Sequence, residues 1–138
     1  MNRNAYFQMD EWTFDQSENG WRGYPGSNKQ KIDLILDYID KVKPKELRQI
    51  MMWHAGQLAA MRRDKKMALK LMSQCICADD KDWNDYVLLT LSFIADDKQE
   101  FQNILVKVSE KNPNYETIKI LSDNFGKEYD LKLLSSIN

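Results

Sequence analysis

Little in this chain suits covalent or metal chemistry. Its 138 residues include one histidine and two cysteines. Cys75 and Cys77, two apart on a helix, would point roughly 200° apart and so could not bridge each other. Their spacing fits no zinc site, and buried or idle thiols are the expectation. Glycine (5) and proline (3) are also scarce, and neither a phosphate loop nor a dinucleotide fingerprint is present. No cofactor and no metal are expected. No stretch approaches the roughly 20 apolar residues of a membrane span. Neither charge sign dominates: the net charge is -1 and the pI ≈ 5.8. The one basic cluster, MRRDKK at 61–66, is broken by Asp64. It reads as a solvated helix end rather than a nucleic-acid footprint, which needs a concentrated basic face. The first residues, MNRNAYFQMDEW, are polar and acidic where a leader would be basic and then apolar. The expected location is therefore the cytoplasm.

Helical periodicity is what the sequence has in abundance. By length it is a single domain, 1–138, able to bury a core without metal or disulfide support. An aromatic-rich head and loop occupy 1–27. NGWRGYPGSN (19–28) holds three of the five glycines and one of the three prolines, the punctuation of a turn region. Residues 28–138 then follow the 3.6-residue period. Ser27 or Asn28 caps a helix with Ile32, Ile35, Leu36, Ile39 and Val42 on one face. Pro44 suits the first turn of a helix over 45–63. Further helices are predicted over 64–77, 82–96 and 97–111, then from Asn114 to Gly126, with a short one from Lys127. Alternating β-branched runs are absent, so the fold class is all-α.

DWNDYVLLTLSFIADD (82–97) has almost no wet face. On a helical wheel only Asp85, Ser92 and Asp96 form a narrow polar stripe, so this helix is predicted to lie between neighbours. The helix at 45–63 has one large apolar face and a second of small residues, Ala55, Gly56 and Ala59. Ala68 is predicted to meet Gly56 there. The head residues Tyr6, Phe7, Met9, Trp12 and Phe14 are too apolar for a free tail. They are expected to dock on the helical body or to join a second copy as a homodimer.

A shift of 33 residues superposes Ile50 on Trp83, Trp53 on Tyr86, Gly56 on Leu89, Ala68 on Phe101, Met72 on Leu105 and Cys75 on Val108. The spacing of Gly56 and Ala68, with Pro113 at the end, resembles the tetratricopeptide pattern. The rival architecture is a helical bundle with other crossing angles. GWR (20–22), MWHAGQLAAM (52–61), WNDYVLLTLSFIADD (83–97) and NFGKEYD (124–130) further resemble, in that order, blocks of small, uncharacterised bacterial proteins with a tetratricopeptide-like fold. That resemblance implies antiparallel helix pairs stacked as a short right-handed superhelix, and no activity. The chain departs from the pattern at GYPGSN (23–28) and at RRDKK (62–66), and the first departure leaves the placement of Trp21 and Arg22 open.

His54 sits within an apolar stripe, which suits a satisfied, partly buried histidine or a binding-site histidine; no nucleophile is identifiable beside it. A Cys–His hydrolase would need Cys75 or Cys77, which lie on another helix, Cys77 being the more exposed. The acidic run ADDKDWND (78–85) lacks the spacing and glycine of a calcium loop. It complements a helix N-terminus instead. The aromatics are the better lead. If the pairs stack, Trp53, His54, Gln57, Trp83, Tyr86 and Thr90 border one concavity, with Trp21 and Arg22 closing one end. Aromatic walls with a few hydrogen-bonding groups suit a peptide or ligand groove, although rings at this spacing also suit core packing. The reading is a non-enzymatic module that binds a protein or peptide partner. The alternative is a small-molecule-binding or hydrolytic protein with a pocket around His54. A purely structural role is the third.

Overall fold

A computed structural model describes residues 3–135. Among them there are nine α-helices and no strand, so the all-α class is correct. The head contributes α1 (Asn4–Phe7) and α2 (Glu11–Gln16), followed by a 3₁₀ turn at Trp21–Gly23. The body is α3 (Asn28–Val42), α4 (Arg48–Met61), α5 (Lys65–Met72), α6 (Lys81–Ile94), α7 (Lys98–Leu105), α8 (Tyr115–Asp123) and α9 (Leu131–Ser135). Each helix from α3 to α7 packs on the next, and α8 packs on α6.

The 33-residue shift governs where helices begin and end. The ends of α4, at 48 and 61, lie 33 residues before the ends of α6, at 81 and 94. The ends of α5, at 65 and 72, stand in the same relation to those of α7, at 98 and 105. The turns repeat as well. Arg63 (φ 66°) and Asp96 (φ 58°) take the left-handed conformation. The next residue's N–H bonds five positions back: Asp64 to the Ala59 carbonyl at 3.0 Å, and Asp97 to that of Ser92 at 2.9 Å. These are Schellman closures with a non-glycine residue at the left-handed position. Asp64 and Asp97 then cap the second helices by accepting from Met67 and Glu100 N–H groups.

The third start signal does not repeat. Asp80 caps α6 by accepting from Trp83 N–H at 3.0 Å, whereas its counterpart 33 residues earlier is Leu47, which cannot. Glu11 of the head supplies the missing carboxylate, accepting from Glu46 N–H at 3.0 Å and Leu47 N–H at 2.8 Å. This is one reason the head docks. Others are the Phe14–Tyr38 stack, with centroids 3.9 Å apart, the Tyr38 hydroxyl donating to Met9 carbonyl at 2.6 Å, and Arg3 on Asp37 at 2.6 Å. Gly20 is required here, because a Cβ would lie 1.8 Å from the Phe14 carbonyl oxygen.

Several boundaries and neighbours differ from expectation. Pro44 precedes α4 instead of entering its first turn, because the chain leaves α3 through a left-handed Lys43 and reaches Arg48 before helix resumes. The second helices are shorter than predicted; α5 ends in a 3₁₀ turn over Ser73–Cys75, which places Cys77 beyond any helix. Gly56 meets Met72 rather than Ala68: a Cβ on Gly56 would come 2.6 Å from Met72 Cγ. Ser92 is buried, with its hydroxyl satisfied by donating back to the Leu88 carbonyl at 3.0 Å; Leu88 is exposed instead.

Candidate functional site

Three aromatic rings join the two leading helices. Trp53 on α4 lies 5.2 Å from Trp83 and 5.3 Å from Tyr86 on α6, and those two are 5.7 Å apart. Edge-to-face and tilted contacts of this kind are favourable beyond simple burial. Trp53 is 3% exposed, Tyr86 6% and Thr90 0%, while Trp83 is half-buried. The Trp83 indole N–H donates to the Cys75 carbonyl at 2.7 Å. Burial pushes the Tyr86 phenol up to about 12, so it stays protonated. The Thr90 hydroxyl donates to the Tyr86 carbonyl at 2.8 Å and is thereby engaged within its own helix.

At one end of this face the head reaches α4. Asp15, fully buried, accepts from the Trp21 indole N–H and from His54 Nδ1, each at 2.9 Å, and also from Gln16. An ionised carboxylate only accepts, so this arrangement places a proton on His54 Nδ1. Burial pushes the Asp15 carboxyl up, but the hydrogen bond and charge of His54, with the bonds from Trp21 and Gln16, more than offset it and hold the carboxyl below its ordinary value. Trp21 and His54 rings are 5.7 Å apart, and the Arg22 guanidinium lies over Trp21 at 4.3 Å with its Nη1 buried. Trp21 and Arg22 thus stand at the His54 end, despite GYPGSN interrupting the helical pattern.

Gln57, one turn beyond His54, meets a different segment. Its amide donates to the Tyr129 hydroxyl at 3.0 Å. Arg63 donates to the Tyr129 carbonyl at 2.8 Å and pairs with Glu128 at 2.8 Å. Asp15, Arg63 and Tyr129 were not legible as site residues. Their contacts span 39, 66 and 72 residues for Asp15–His54, Arg63–Tyr129 and Gln57–Tyr129. NFGKEYD held the only available hint.

Asp15 orients His54 as a third group orients a catalytic base. The thiols do not complete such a site. Cys75 Sγ donates to the Gln49 carbonyl at 3.5 Å and Cys77 Sγ to Gln49 Oε1 at 3.0 Å. Among the described residues, no group of three His, Cys, Asp or Glu side chains could hold a metal ion, and no helix is long and apolar enough to cross a membrane. On the far side of α6, a groove of about 530 Å³ runs between α5, α6 and α7, lined by Leu69, Leu88, Leu91 and Ile104 among others. Compared with family models, curated proteins and solved structures, the chain finds no match.

Proposed function

We propose that this protein is a non-enzymatic interaction module of tetratricopeptide-like build, which takes a peptide segment of a partner protein on the face shared by α4 and α6. The observation that carries this reading is Tyr129. An aromatic side chain from outside the two helices is seated on that face, with its phenol bonded to Gln57 and its backbone to Arg63. A side chain and a backbone group held together are the elements of peptide recognition: the ring supplies area, the hydrogen bonds supply direction. Matching ends and turns of the two helix pairs support a stack in which α4 and α6 stand side by side.

Selection of displayed random peptides on the full chain tests it. Selected peptides should lose most of their affinity on Gln57→Ala and Trp83→Ala, and keep it on Lys70→Ala at the far groove. Selected peptides that are indifferent to Gln57 and Trp83 would refute the reading. A second reading places a small polar ligand or a hydrolytic step at His54, and the Asp15–His54 bond favours it. On that reading His54→Ala outweighs every aromatic substitution.

A further inference from the structure

Residues 124–130, between α8 and α9, form a strap with two aromatic anchors. Tyr129, 5% exposed, presents its ring edge to Phe93 of α6 with centroids 6.4 Å apart. Four residues earlier, Phe125 meets the same Phe93 at 5.8 Å and Phe101 of α7 at 5.0 Å. Phe93 is thus shared by both anchors, while Gln57 reads the phenol and Arg63 reads the carboxylate of Glu128 and the carbonyl of Tyr129.

The stretch between the anchors is lightly held. Gly126 has φ 93° and nothing within 4 Å of where a side chain would begin, and Lys127 and Glu128 are exposed. The Arg63–Glu128 pair is a surface one, the weakest kind. A cavity of about 170 Å³ remains between the strap and the body, walled by Ala60, Phe93 and Ile94 on one side and by Arg63, Lys65 and Asp96 on another. This space opens to solvent along the exposed residues Lys65, Asp96, Lys127 and Glu128. The strap therefore fills its two anchor positions and leaves the space between them unfilled.

We infer that the strap is an internal stand-in for the partner. This rests on the α4–α6 face being the binding surface. The partner segment carries two aromatic residues four positions apart, the second a tyrosine, with an acidic residue immediately before it. Phe93 takes both rings, Gln57 selects the phenol and Arg63 the acid, and glycine is favoured after the first aromatic because the backbone there is left-handed. Binding requires the strap to lift, so the strap lowers apparent affinity by the fraction of time it is closed.

The test uses the full chain and a capped synthetic peptide, NFGKEYD, matching residues 124–130. Tyr129→Ala vacates the second anchor and leaves every residue of α4 and α6 unchanged. If the strap is closed about nine-tenths of the time, the variant binds the peptide about ten-fold tighter than wild type. Adding Gln57→Ala, or replacing the peptide's tyrosine by phenylalanine, should remove much of that gain. A Tyr129→Ala protein of native circular dichroism that binds no tighter, or a gain insensitive to Gln57, overturns the inference. If that variant does not fold, amide shifts at Gln57 and Arg63 on adding peptide to wild type support it, and their absence at saturation overturns it. A dimer formed by exchanged straps would make a second copy the occupant and overturn the partner assignment. Selected peptides that bind through Trp83 while NFGKEYD does not would sink this inference and leave the proposed function standing.

Discussion

Gly56→Ala distinguishes close packing from simple helix propensity. In the interior of α4, alanine should be favoured over glycine by about 1 kcal/mol. The site does not allow it. The added Cβ would lie 2.6 Å from Met72 Cγ, 3.4 Å from Met72 N and 3.6 Å from Leu71 Cβ. The Met72 side chain must retreat by about 1 Å to reach ordinary contact, and it is fully buried. Methionine adapts well at its tip, but Cγ is near the backbone, so α5 itself must move. Overpacking of this kind costs about 1–3 kcal/mol. The net expectation is a loss of about 1 kcal/mol for alanine and about 3 kcal/mol for leucine. Met72→Ala alone should cost about 2–5 kcal/mol through its cavity. The double variant Gly56→Ala/Met72→Ala should be more stable than the sum of the singles predicts, by about 1–2 kcal/mol. Urea unfolding followed by tryptophan fluorescence and circular dichroism measures all four. A Gly56→Ala protein more stable than wild type, with additive double-variant energies, would refute the close contact. The 33-residue equivalents, Leu89 and Leu105, divide the volume differently, which is how helices of equal length carry unlike residues at this crossing.

Glu11→Ala should cost about 1–2 kcal/mol in the same assay, because two N–H groups before α4 lose their carboxylate; no loss would mean the head does not cap α4. Asp96→Gly should stabilise by about 0.5–1 kcal/mol, since an exposed left-handed residue then loses its Cβ strain, and a destabilised variant would contradict that turn. Asp15, held below its ordinary 3.8, contributes stability that is present above about pH 4 and lost as pH falls through its folded value; an acid unfolding limb equally steep in Asp15→Asn would argue against this. Cys75, buried and pushed up to about 12 chiefly by that burial, should resist a thiol reagent at pH 8 while Cys77 reacts, because only a thiolate is nucleophilic. Equal labelling would show that α5's end opens.

Helices were legible because their signals are local. The capping box of Ser27 and Gln30 is complete, and the apolar stripes of α3 and α6 follow directly from spacing. The 33-residue shift was legible in apolar phase, and it locates helix ends more sharply than the sequence suggested. Residues whose roles depend on distant partners were not legible. Leu47 looks like an unsuitable cap until Glu11 is brought beside it. Gly56 was paired with Ala68 by phase, yet small residues do not by themselves show which neighbour fills the gap, and Met72 does. Trp53, Trp83 and Tyr86 do share one cluster, as their spacing implied. Thr90 turned inward because a helical threonine can satisfy itself on the carbonyl four residues back. Asp15 and Tyr129 reach α4 from the two ends of the chain, and no periodicity encodes that.

The central claim is that the 124–130 strap stands in for a partner peptide on the α4–α6 face. The most direct measurement is the pattern of amide and indole shifts in the full-length Tyr129→Ala protein as NFGKEYD is added. The expected changes are concentrated at Gln57, Arg63 and Phe93 and extend to the Trp53 and Trp83 indoles. Changes confined to Leu69, Leu88 and Ile104 in the opposite groove, or none at saturating peptide, would contradict it.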